Sequence, residues 1–176
     1  MPTTIAPLIQ SQLVAVMRAV TGYQAPDAST SEIPVFDSTE VELVEVSGTS
    51  YLVIGWPGYP SGDYQAAEGT QRPVAHAASN RPTEEEGLVR CKAVGQTGDT
   101  GIGAPATARD LAYVIVQAVD QQLRNTASGP LLGVDPVDGN GQVLWARVDS
   151  HQRYETAGEN GCVCEVDFGV RYRARI

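Results

Sequence analysis

Alternation is the clearest pattern in this chain, and it lies at the C-terminal end. Cys162, Cys164, Val166, Phe168, Val170, Tyr172, Ala174 and Ile176 are apolar or amphipathic, and the interleaved Val163, Glu165, Asp167, Gly169, Arg171, Arg173 and Arg175 are mostly charged. A period of two puts one set on a core and the other on an exposed face, so the pattern predicts a β-strand. At a rise of about 3.3 Å per residue it would run nearly 50 Å, while most strands stop by about 10 residues. A bend is therefore expected, with Gly169 as the bulge site, or the strand's end leaves its own sheet.

Helical spacing occurs twice. Leu8, Ile9, Leu13, Val16, Met17 and Val20 share one stripe, with Pro7 in the first turn and Gly22 as a stop. The second helix has Pro105 near its start, Arg124 in its last turn, and an inner face of Leu111, Val114, Ile115, Ala118, Val119 and Gln122. Residues 23–34 read as loop. Thr39–Val46 and Tyr51–Trp56 read as a hairpin around Ser47–Ser50, the second strand apolar enough to sit centrally in a sheet. Strands are also expected over Gly87–Val94 and Gln142–Asp149, with a loop over Thr126–Gly141 and a polar turn before the last strand. Residues 57–83 have four prolines, three glycines and no clean period, and read as a long loop or an arm reaching toward a neighbour. The order predicts one α+β domain over 1–176, an antiparallel or mixed β-sheet with two α-helices packed on one face.

Charge narrows the function. The 176 residues carry 21 acidic and 12 basic side chains, net −9. Nucleic-acid binders need a basic footprint, and the chain has none overall. With 6% aromatics it has no visible base-stacking platform either. No basic leader is present, and no run approaches the ~20 apolar residues that span a bilayer, so synthesis in the cytosol is expected. The three cysteines agree. Cys162 and Cys164 lie about 6.6–6.8 Å apart by strand rise, long for a disulfide, and Cys91 is distant. Three buried thiols are expected. Zinc would need His76 or His151 as a fourth ligand, and neither has the spacing.

Catalytic signatures are absent. There are two histidines, both in expected loops, and neither a Gly-x-Ser-x-Gly elbow nor a His-Glu-x-x-His helix. Glu84-Glu85-Glu86 reads as a solvated run. The glycine-rich Gly98–Gly103 segment precedes a helix, where phosphates can bind, but it lacks the Gly-Lys-Ser/Thr ending and contains Asp99. It is the best candidate for an alternative reading, a small ligand-binding domain or enzyme. The exposed face of the last strand changes sign, from Glu165 and Asp167 to Arg171, Arg173 and Arg175. These five are the candidate subunit-interface residues, unless the arginines simply form a solvated edge.

Over most of its length the layout resembles the tail terminator proteins of long-tailed, lambda-like bacteriophages, the small subunits that join head and tail. The resemblance rests on the short first helix, Val35-Phe36-Asp37, Tyr51–Gly55, the acid-led Glu86–Cys91 and the Gly98-Asp99 turn. It continues through the Arg109-bearing helix, Gly129–Gly133 and the closing Arg171–Ile176. It implies a hexameric ring at the head-proximal end of the tail. Such a ring ends polymerisation of the tail tube protein and meets the head–tail connector or neck proteins. DNA passes through its lumen without specific binding. The implied protein is a virion component assembled in the bacterial cytoplasm, non-enzymatic, without cofactor or membrane. Another neck or head-completion adaptor is the neighbouring alternative.

Overall fold

A computed structural model describes residues 4–26, 32–38, 50–56, 67–73, 83–125 and 142–175. In chain order the elements are α1 (Ala6–Arg18), β1 (Tyr23–Gln24), β2 (Ile33–Asp37), β3 (Tyr51–Ile54), β4 (Ala67–Pro73), β5 (Thr83–Thr97), α2 (Ala104–Arg124), β6 (Gln142–Gly158) and β7 (Gly161–Arg175). The strands form one mixed sheet in the order β1-β2-β3-β5-β7-β6, with β4 paired to β5 beside β3. β1, β2 and β3 run parallel, and the other pairings are antiparallel. Both helices pack on one face, as the chain's α+β pattern predicts.

The core lies between that face and the helices. Ile9, Leu13 and Met17 of α1 meet Val35, Leu52, Ile54, Val89 and Cys91 of the sheet. Ile115, Val119 and Leu123 of α2 join the same cluster as Cys164, Val166, Phe168 and Val170 of β7. The alternation in β7 is realised, with Cys164, Val166, Val170, Tyr172 and Ala174 fully buried. The three thiols are buried and unpaired, and burial pushes the Cys91 thiol up to about 12.

Several segments differ from expectation. β1 and the start of β2 occupy part of the stretch 23–34, read as loop, and Ile33 N–H donates to the Gly22 carbonyl at 2.9 Å. β3 sits centrally, as its apolar run predicts, but both its edges are taken, by β2 and β5. Its expected hairpin partner, 39–46, lies outside the described residues. The 57–83 arm is corrected at 67–73: this stretch is β4, in register with Thr83–Val89. The rest of 57–82 lies outside the described residues, as does the loop over 126–141.

The inner face of α2 is also rotated from the expected one. Ala104, Ala108, Ala112, Ile115, Val119 and Leu123 are buried, while Leu111 and Val114 are 36% and 54% exposed. The cause is a close approach: a Cβ at Gly95 in β5 would collide with the Ala108 carbonyl and the Ala112 amide. Only small side chains fit where helix backbone and strand backbone nearly touch, so alanines take the inside. β6 extends through the expected polar turn to Gly158, and a two-residue turn leads to Gly161, whose φ of +114° suits glycine. Of two register shifts between β6 and β7, one lies opposite the predicted bulge site. Asp149 and Ser150 of β6 together face the single Gly169 of β7.

Candidate subunit interface

The face opposite the helices is built by register. β5 places Glu84, Glu86, Arg90 and Lys92 on it, acids first and bases last. β7 places Glu165, Asp167, Arg171, Arg173 and Arg175 there in the same order of sign. Antiparallel pairing sets Arg175 opposite Glu84, Arg173 opposite Glu86 and Asp167 opposite Lys92. Unlike charges therefore meet directly at three positions of the strand pair.

All five predicted interface residues find partners within the chain. Arg173 pairs with Glu84 through Nε at 2.9 Å and also through Nη2, and Arg175 Nη2 reaches the same carboxylate at 3.1 Å. The Arg173 hydrogen bond leads the causes that hold the Glu84 carboxyl below its ordinary value. Arg171 Nε donates to Asp149 at 2.9 Å, and its Nη1 lies 3.6 Å from Glu86. Lys92, nearly buried, donates to Glu165 at 2.7 Å and stands 3.7 Å from Asp167 and 4.4 Å from the Trp56 ring centroid. No neighbouring acidic patch is needed to balance these arginines. Reversing the charge at Arg171 and Arg173 with glutamate is accordingly expected to destabilise the folded subunit itself, because it gathers acids around Glu84, Glu86 and Asp149. Thermal melting checks this: a variant that melts like the parent would contradict the ladder.

The Glu84-Glu85-Glu86 run is corrected at its centre. Glu85 is 0% exposed. Its side chain points to the helix face and accepts from Tyr172 Oη at 2.6 Å, Thr4 Oγ1 at 2.8 Å, Gln71 Nε2 at 3.0 Å and the Ile5 amide at 3.2 Å. Burial raises its pKa, and the hydrogen bonds from Tyr172, Gln71, Thr4 and Ile5 more than reverse this, leaving it below its ordinary value. The carboxylate thus stands at the N-terminal end of α1, which has no side-chain cap of its own. Strand period two holds the signal for this placement: if Glu84 and Glu86 face out, Glu85 faces in.

β6 forms one border of the sheet. Its outer edge pairs with nothing among the described residues. Beyond the bulge, His151–Gly158 keeps an unbroken register with β7 and is exposed throughout. On the helix side Glu155 accepts from Arg109 Nε at 2.7 Å and Nη2 at 3.2 Å, with Arg153 Nε at 3.1 Å. His151 lies edge-on to Tyr113 at 5.7 Å. On the other flank, β4 pairs only with β5 among the described residues. The Gly98–Gly103 loop is exposed, and Asp99 Oδ1 takes the Gly101 amide at 2.9 Å, an amide that an anion would use. Among the described residues no three His, Cys, Asp or Glu side chains group as metal ligands, and no helix is long and apolar enough to cross a membrane.

A scan of protein-family models finds no match to the chain, and a search of curated proteins finds no similar sequence.

Proposed function

We propose that the chain is a structural assembly subunit, a tail terminator that forms a hexameric ring at the head-proximal end of a phage tail. The observation that supports this reading is the border of β6, unpaired among the described residues, 17 residues long and regular over its last eight. Monomeric proteins keep edge strands short, bulged or covered, because unpaired backbone groups recruit other chains. The two register shifts of β6, at Leu144 and at Asp149–Ser150, protect only its first half. With the arginine ladder satisfied internally, the β6 edge, unpaired among the described residues, is the surface offered to a neighbour. Pairing β6 with β6 of a second copy would close a dimer, whereas pairing β6 with a different border such as β4 is heterologous and suits a ring. The net charge of −9 per subunit also suits a lumen through which DNA slides without being held.

Placing lysine at Tyr154 and at Thr156, both exposed, tests this. Edge lysines oppose strand addition. The double variant is expected to melt like the parent, to lose ring assembly, and to leave tail tubes elongating where the parent stops them, as read from tube lengths by negative-stain imaging. A parent protein that leaves tube length unchanged would contradict the reading.

A further inference from the structure

A cleft of about 440 Å³ opens on the sheet face that the helices leave uncovered, beside the bulge in β6. Its walls include Trp56, Leu88, Arg90, Gln152, Asp167 and Gly169. The Leu88 side chain lies over the bare Gly169, where a Cβ would strike it, and so forms part of the cleft wall. That volume lies within the ordinary range of small-molecule sites, about 300–1,000 Å³.

Two of its polar groups are incompletely satisfied. Asp167 Oδ1 is buried and accepts no hydrogen bond. Lys92 Nζ, at 3.7 Å, is near enough to attract it and too far to donate to it, being engaged with Glu165 at 2.7 Å. A buried carboxylate oxygen without a donor is costly, and burial raises the Asp167 pKa. Arg90, whose strand register places it diagonally across from Asp167, forms no ion pair among the described residues. The charges around the cleft, Arg90 and Lys92 against Glu165 and Asp167, cancel. A ligand of one sign would leave either Arg90 or Asp167 unmatched, whereas a net-neutral ligand bearing both signs complements both.

We propose that the cleft binds a free α-amino acid, its carboxylate on the Arg90 guanidinium, its ammonium on the exposed side of the Asp167 carboxylate and its side chain against Trp56 and Leu88. Arginine suits the carboxylate because its planar fork donates in pairs. Lys92, stacked at 4.4 Å from the Trp56 ring centroid, holds that wall in place. This goes beyond the assembly reading and does not depend on it.

The test titrates the full chain with L-phenylalanine, L-leucine and L-glutamine, following the Trp56 indole N–H by NMR. Phenethylamine and 3-phenylpropanoate, each lacking one charge of phenylalanine, run alongside. Saturable shifts with at least one amino acid are expected. Where phenylalanine is the ligand, each half-analogue should bind at least about tenfold more weakly, as should the best amino acid to Asp167→Asn or Arg90→Gln. Flat titrations for all three amino acids up to about 10 mM overturn the proposal. So do half-analogues that bind as well as phenylalanine, and so do folded variants that keep the parent's affinity.

Discussion

Replacing Glu85 with alanine is expected to cost about 3–5 kcal/mol and to free the start of α1 from the sheet. The carboxylate is the common acceptor for Tyr172, Thr4, Gln71 and the Ile5 amide. Its removal strands four donors, three of them side chains, Tyr172 of β7, Gln71 of β4 and Thr4 ahead of α1, and leaves a cavity. Urea denaturation measures the loss, and hydrogen exchange locates it, with α1 amides deprotected first. Glu85→Gln keeps the volume but turns an amide N–H toward donors, so it should lose less than alanine and still clearly destabilise. The pH dependence has a definite sign. Because the folded pKa lies below the ordinary 4.5, the contribution is complete above 4.5 and fades as pH falls through the folded value. The gap between parent and Glu85→Gln should therefore be widest near neutrality and narrow in acid. Equal denaturation midpoints at pH 7 would show that Glu85 does not hold α1.

Gly95→Val is expected to cost about 3 kcal/mol. A Cβ there meets helix backbone, the Ala108 carbonyl and the Ala112 amide, rather than the tip of a movable side chain. Relief requires α2 to shift away from β5, which loosens Ile115 and Val119 in the core as well. Gly98→Ala, with nothing within 4 Å of its added carbon, serves as the control and should change stability by less than about 0.5 kcal/mol. Equal melting of both variants would mean that α2 does not rest on Gly95.

The Gly95 contact also explains what the sequence could and could not reveal. β7 and α1 were legible because a single core contact surface imposes a clean period on each. α2 was legible as a helix but not in its orientation. Leu111 and Val114 are the more apolar choice for an inner face, yet the alanines go inside because the strand is too close for larger groups. Tertiary fit overrode hydropathy there. The second half of β6 was missed because both its faces are exposed and no alternation marks it. β4 was hidden by its glycine and proline and by its position at a border.

The candidate interface was half legible. The sign change along β7 was visible, but its meaning required the partner strand. β5 carries the same order of sign, acids Glu84 and Glu86 before Arg90 and Lys92. Antiparallel pairing of two such strands neutralises both, so comparing charge order between the strands could have indicated the pairing. Glu85 is concealed in the sequence because it stands between two acids that do face solvent, and only the strand's period of two separates it from them.

The assembly account depends on β6 meeting another copy of the chain. Its most direct test is the mass of the purified protein in solution across a concentration series, with negative-stain images of the same samples. Closed rings of uniform size, matching a hexamer and lost when lysines replace Tyr154 and Thr156, are the predicted result. A protein that stays monomeric at every concentration, or rings that the two lysines leave intact, would contradict it.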